Sequence, residues 1–211
     1  MLARWWLYPI VALLGLSLLG ALLVGFAVLV TLPTLPSLEA LTDYRPKIPL
    51  RVYSAEGVLM GEFGEERRNF VPITEIPDVM KKAVLAIEDD RFYEHGGVDF
   101  VGVMRAGLAN LRGGLSQGAS TITMQVARNF FLSSEKTYTR KIYEMLLAYK
   151  IEANLSKDQI LELYMNQIYL GQRAYGFASA ARVYFGKSIK DVTPAEAAML
   201  AGLPKAPSAY N

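Results

Sequence analysis

With 211 residues, 52% hydrophobic content and 22 basic against 20 acidic side chains, the chain has the makings of one ordinary folded domain plus an unusually apolar segment. The lack of cysteine excludes disulfides and thiolate metal sites, and a single histidine, His95, excludes a histidine-rich metal centre. The formal charge of +2, with no block of like charges, gives no support to nucleic-acid binding.

From Trp5 to Leu38 there is not one charged side chain. That run exceeds the roughly 20 apolar residues that a helix needs to cross a bilayer. Residues 5–32 are therefore predicted to be a transmembrane anchor behind a four-residue N-terminus, residues 1–4. A cleavable signal has an apolar core of about 7–15 residues and a small-residue cleavage site, whereas this run is longer and ends in TLPTLPSL, which favours a retained anchor. Trp5, Trp6 and Tyr8 suit one interface. Arg4 and the terminal amine are balanced by Arg45, Lys47 and Arg51 beyond the other end, so the positive-inside rule does not decide the orientation.

Residues 33–50, punctuated by proline, are expected to be a short stalk, and residues 51–211 the folded domain. RVYSAEGVLMGEFG has the pattern of two short strands around a turn at Ser54 to Gly57. Helical periodicity then dominates, at Pro77–Glu88, Phe100–Leu111, Ser120–Phe130, Lys136–Ala153, Ser156–Ile168, Tyr175–Tyr184 and Pro194–Leu203. The predicted fold is mainly α, without internal repeats.

Four stretches carry chemistry. In KAVLAIEDDRFYEHGG, Glu88, Asp89 and Asp90 fall in the last turn of a helix, where the macrodipole disfavours negative charge by roughly 0.3–1 kcal/mol each. Local stability does not explain them, and a solvated acidic turn before Gly96 and Gly97 is the plain alternative. In GLSQGASTITMQVARNF, glycines at 113, 114 and 118 lead into Ser120 and Thr121 at a helix start, a geometry that suits an anion and equally an ordinary capped helix. Thr121, Gln125 and Arg128 form a polar stripe on that helix, opposite a buried face of Ile122, Val126 and Phe130. In TRKIYEMLLAYKIEANL, Arg140, Lys141 and Glu144 lie within about one turn, a pattern that an exposed surface pair also produces. The fourth stretch, from Lys157 to Tyr210, carries Glu162 and Asn166 on a helix, then a Gly- and Tyr-rich turn and a Phe-Gly-Lys loop, most of it packing and capping.

The order and spacing of these segments resemble the glycosyltransferase module of class A penicillin-binding proteins, the family-51 peptidoglycan glycosyltransferases. The matching text is EDDRFYEHGG for Glu-Asp-x-x-Phe-x-x-His-x-Gly, GASTITMQ for Gly-x-Ser-Thr-Ile-x-x-Gln, RKIYE for Arg-Lys-x-x-Glu, then ILELYMNQIYLG, YFGK and AGLPKAPSAY. The resemblance spans about Val52 to Tyr210. Arg128 stands where many members have Lys, and Met124 and Met165 replace common Gln and Leu. Arginine keeps the charge and adds a fork suited to phosphate.

The resemblance implies a lysozyme-like α-helical lobe beside a small membrane-facing lobe, preceded by one transmembrane helix, with the active-site cleft between the lobes. It implies polymerisation of lipid II, a lipid-linked disaccharide-peptide, into β-1,4-linked glycan with inversion and release of polyprenyl diphosphate. Glu88 matches the general base and Glu144 the second glutamate, which orients the basic cluster, assists the leaving group or helps hold a metal. Arg128, Arg140 and Lys141 match the diphosphate-binding residues, with Ser120, Thr121 and Gln125 on the substrate side. Asp89, Phe92, His95 and Gly97 match structural motif positions. No cofactor is required by the resemblance, which leaves room for a divalent cation, Mg, near the diphosphate. The implied partners are lipid II, the growing glycan strand, the membrane and other cell-wall synthesis proteins. The implied location is the bacterial cytoplasmic membrane, single-pass, with the catalytic domain on the periplasmic face.

Ser133-x-x-Lys136 echoes the transpeptidase nucleophile motif, but no Ser-Asp-Asn or Lys-Thr-Gly partner accompanies it. The chain stops at APSAYN, where a class A protein continues into its transpeptidase domain, so a truncated bifunctional protein and a monofunctional enzyme are both expected forms. The main alternative is a membrane-anchored, lysozyme-like glycan-cleaving enzyme with Glu88 as general acid. The basic set at 128, 140 and 141 tells against it, because hydrolysis has no diphosphate to stabilise. A non-catalytic scaffold is the third alternative.

Overall fold

A computed structural model of the protein describes residues 7–42, 50–64, 66–111, 120–132, 137–205 and 207. Trp5, Trp6, Arg45, Lys47, the glycines at 113, 114 and 118, the Ser133 to Lys136 tetrapeptide and the closing residues from Ser208 lie outside the described residues.

The chain divides into two compact units, one ending at Ser37 and one starting at Leu38. In the first, α1 (Leu7–Thr31) is an uninterrupted helix of 25 residues, about 37 Å at 1.5 Å per residue, which is long and apolar enough to cross a membrane. Its leucines from Leu13 to Leu29 are exposed around the whole circumference, as lipid contact requires and water does not favour. A 3₁₀ turn at Leu32–Thr34, with proline in its first turn, ends it.

The second unit opens with the one-turn helix α2 (Glu39–Thr42), then the strands β1 (Leu50–Tyr53) and β2 (Leu59–Phe63), which pair antiparallel from Leu50 opposite Phe63 to Tyr53 opposite Leu59. This is the expected hairpin, and Gly57 takes the positive φ of +81° that its turn demands. A two-residue strand, β3 (Arg67–Arg68), was not expected; it pairs parallel with β4 (Ala174–Tyr175), a long-range contact that no local pattern announces.

The helices are α3 (Asp78–Glu88), α4 (Phe100–Leu111), α5 (Ile122–Phe131), α6 (Tyr138–Glu152), α7 (Lys157–Gln167), α8 (Phe177–Phe185) and α9 (Pro194–Gly202). All seven stand where periodicity puts them, within two residues at each end, and the fold is mainly α. The discrepancies fall mostly on caps. Thr121, Thr137, Ser156 and Thr193 each accept a backbone N–H of the first turn instead of joining the helix, and Ser156 and Thr193 complete capping boxes with Gln159 and Glu196.

Helix α5 packs against α6 and α7, and α3 against α9. Residues 122 to 127 of α5 are all buried, including the polar Thr123 and Gln125, so α5 is a core helix with polar groups inside it. Helix α4 instead leaves Phe100, Met104 and Leu108, one stripe at a spacing of four, exposed. That apolar surface suits the membrane-facing lobe implied by the resemblance.

The two polar residues singled out on α7 hold the segment ahead of α3. Asn166 accepts from Val71 N–H at 2.8 Å and donates to Val71 C=O at 2.9 Å, and Glu162 accepts from Ile73 N–H at 2.7 Å. Gly176 lies so close beneath that a Cβ there would sit 2.7 Å from Asn166 C=O. Asn166→Ala strands both buried groups of Val71, at about 1–3 kcal/mol each. The expected outcome is a lower unfolding midpoint in denaturant with an unchanged m-value; an unaltered midpoint would show that the clamp does not hold the fold.

Candidate active site

Asp89 explains why acids close α3. It is the C-cap residue, 7% exposed, and its carboxylate accepts the Ile122 N–H at the first residue of α5 (3.0 Å). The charge that is misplaced at the end of α3 is well placed at the start of α5, where the dipole is positive. Both carboxylate oxygens also meet His95 Nε2, at 2.9 and 3.0 Å. His95 thus ties the turn to Asp89 by donating from Nε2.

The loop between Asp89 and Gly97 is pinned from three sides. Thr121 Oγ1 donates to Gly97 C=O at 2.5 Å while accepting from Met124 N–H. Gly97, at φ +93°, lies against α6, and a Cβ there would sit 3.0 Å from the Ala148 backbone, so a side chain at this position would be strained. Phe92 is wholly buried, edge-on to Tyr93 and His95, with Lys157 Nζ 4.3 Å above its ring. Lys157 also donates to His95 C=O and to Glu152, each at 2.7 Å, and Glu152 accepts from Thr123 Oγ1 at 2.6 Å.

On this frame Glu88 is half-buried. Gln125 Nε2, from the interior of α5, donates to its Oε2 at 2.6 Å. Burial pushes the Glu88 carboxyl above its ordinary value; the Gln125 amide and the Arg128 guanidinium oppose that, Asp89 adds to it, and Lys205 opposes it weakly. Burial wins. Glu88 is therefore a carboxylate of raised basicity set among cations. Lys205, on the 3₁₀ turn Leu203–Lys205 after α9, and Tyr164, wholly buried on α7, both act in this field and both escaped the sequence analysis. Lys205 stands inside the quoted AGLPKAPSAY, but nothing in its spacing points at Glu88; Tyr164 sits among Ile160, Leu161 and Leu163 and looks like core.

The second cluster corrects the alternative of an exposed surface pair. Glu144 is 1% exposed, with Arg140 Nε at 3.1 Å from one oxygen and Lys141 Nζ at 2.9 Å from the other. Lys141 Nζ also donates to Ser120 Oγ at 2.6 Å and keeps 39% of its side chain exposed. Two cations around one buried carboxylate leave a net positive charge, with the ammonium reachable from solvent. Asp90, by contrast, is exposed, 3.6 Å from Arg105. The two clusters share the start of α5: Ser120 belongs to the lysine, Thr121 to Gly97, Ile122 N–H to Asp89 and Gln125 to Glu88. All twelve residues named from the sequence thus belong to one connected region, with Arg128 joined to it through its field on Glu88.

The donor set does not fit a divalent ion held by the protein. Each oxygen of Glu144 faces a cation, and among the described residues no three His, Asp or Glu side chains converge.

A Transglycosylase family model matches residues 56–211. Penicillin-binding protein 1A of Neisseria cinerea is 63% identical over 199 residues, covering 94% of this chain and 25% of that protein, and its namesake in Neisseria gonorrhoeae is 63% identical over 198 residues. A putative transglycosylase of Cupriavidus necator is 59% identical over 192 residues, covering 91% of this chain and 74% of that protein. The chain spans about a quarter of the length of the penicillin-binding proteins it matches. The crystal structure of penicillin-binding protein 1A from Haemophilus influenzae is 29% identical, with a TM-score of 0.38, over 78% of this chain and 15% of that one. With the family model covering most of its length and a relative matched over nearly three quarters of that relative's own, the chain belongs to the Transglycosylase family.

Proposed function

We propose that this chain polymerises lipid II into β-1,4-linked glycan at the outer face of a bacterial cytoplasmic membrane, with Glu88 as general base. The observation that carries this is the half-buried Glu88 carboxylate, raised in pKa yet fixed by Gln125 at 2.6 Å beside Arg128. The 4-hydroxyl of the acceptor sugar attacks the anomeric carbon of the donor, forming the new C–O bond as the bond to the diphosphate oxygen breaks; the hydroxyl proton passes to Glu88. One displacement at an α-linked donor inverts the centre to β. The departing polyprenyl diphosphate carries the electron pair away, and preorganised cations lower the cost of that charge. Arg128, Arg140 and Lys141 take this role, with Ser120 holding Lys141 and Glu144 aligning both members of its pair. They supply the positive charge that a divalent ion would otherwise bring. Helix α1 serves as the anchor that keeps enzyme and lipid-linked substrate on one surface, with other wall-synthesis proteins as neighbours there.

The test is incubation of the purified chain with lipid II in detergent. A polymerase lengthens the substrate and releases polyprenyl diphosphate; shortening of finished glycan would instead establish the cleaving enzyme. Glu88→Gln should lower turnover at least the roughly 100-fold typical of losing general-base catalysis while donor binding survives, and Asp90→Asn should be much milder. Normal polymerisation by Glu88→Gln would leave a scaffold.

The same variant has a stability signature. A carboxyl whose folded pKa lies above its unfolded value holds its proton more tightly when folded, so its ionisation destabilises the fold as pH rises from the unfolded pKa through the folded one. Glu88→Gln should therefore raise the unfolding midpoint at pH 7 and lose that advantage below about pH 4.5. A destabilised variant at neutral pH would contradict the burial that raises the carboxyl.

Lys141→Ala removes the exposed ammonium of the cluster. It should cost about 2–4 kcal/mol of transition-state stabilisation, roughly 30-fold to 1000-fold in kcat/KM. An unchanged rate would place the diphosphate elsewhere.

A further inference from the structure

Among the described residues Tyr164 is the largest side chain wholly withdrawn from solvent, its ring tilted against Phe177 at a centroid distance of 6.4 Å. Its hydroxyl has no hydrogen-bond partner among the described residues. A buried hydroxyl without a partner costs stability that phenylalanine at the same place avoids. Packing thus accounts for the ring and not for the oxygen.

The surroundings of that oxygen are specific. Helix α7 packs on α5, and the charges that act on the Tyr164 phenol are the Glu88 carboxylate at the end of α3 and the Arg128 guanidinium of α5. Glu88, for its part, receives a single donor among the described residues, Gln125 Nε2 on Oε2. A carboxylate that must stay ionised to accept a proton, in a place where burial favours the neutral form, gains from a second donor.

We propose that Tyr164 is a positioning residue for the base: as Glu88 turns toward the acceptor hydroxyl, the Tyr164 O–H donates to its carboxylate and holds it ionised and aimed. The inference rests on Glu88 being the general base. Burial and the Glu88 charge push the phenol well above its ordinary value, so Tyr164 remains a donor throughout the working range. The other groups facing Glu88 are Gln125, Arg128, Asp89 and Lys205, of which Arg128 also acts on Tyr164.

The experiment is the pH dependence of kcat, which reports the substrate-bound enzyme, for polymerisation of lipid II by the full chain in detergent, with Tyr164→Phe and with 3-fluorotyrosine at 164. Tyr164→Phe should move the acid limb up by about half a pH unit or more, with an unfolding midpoint equal to or above that of the parent. The fluorinated phenol, a stronger donor, should move the limb down. Superimposable limbs would overturn the proposal, as would a Tyr164→Phe that only lowers the unfolding midpoint, since the hydroxyl would then be structural. Glu88→Gln run alongside separates the two failures: an active Glu88→Gln sinks the base and this inference together, whereas an inactive one with superimposable Tyr164 limbs sinks this inference alone.

Discussion

The carboxylate of Asp89 at the first N–H of α5 is the contact on which the rest of the site depends. It joins the end of α3 to the beginning of α5 and, through His95 Nε2, fixes the loop between them. A buried acid at the end of one helix is costly in isolation; at the positive end of a second helix, with a histidine donor, its lone pairs are filled and its charge is compensated. Once that junction is set, Glu88 lies within reach of Gln125 on α5.

The price of the arrangement is a polar interior. Thr123, Gln125 and Glu144 are all buried in the helices that should supply the driest part of the core. Each faces a group that also serves the site: Thr123 donates to Glu152, Gln125 donates to Glu88, and Glu144 lies between the cations of Arg140 and Lys141. Networks of this kind stabilise only when complete, because each orphaned member is left in a low dielectric. The hydroxyl of Tyr164, buried within the same field, has no hydrogen-bond partner among the described residues.

Around the network the protein relies on ordinary devices. Capping boxes at Ser156 and Thr193 set where α7 and α9 begin, and the Asn166 clamp sets how the segment before α3 approaches α7. These contacts lie away from the chemistry, yet α7 and α9 carry Tyr164 and lead into Lys205, so the caps position the residues that tune Glu88.

The sequence by itself determined the elements, because apolar period, proline and capping residues are local: seven helices, one hairpin and an apolar helix of membrane-crossing length were legible without coordinates. The family motifs also brought Glu88, Gln125, Arg140, Lys141 and Glu144 into view. Only the tertiary structure decided that Glu144 is buried and not half of a surface pair, that Asp89 serves a helix other than its own, and that Lys205 and Tyr164 act on Glu88. The parallel pairing of Arg67–Arg68 with Ala174–Tyr175 was likewise invisible. The reason is physical. Burial, dielectric and the field at a carboxylate are properties of what surrounds a residue after the chain has closed on itself, and residues far apart in sequence leave no periodic trace of the contact they will make.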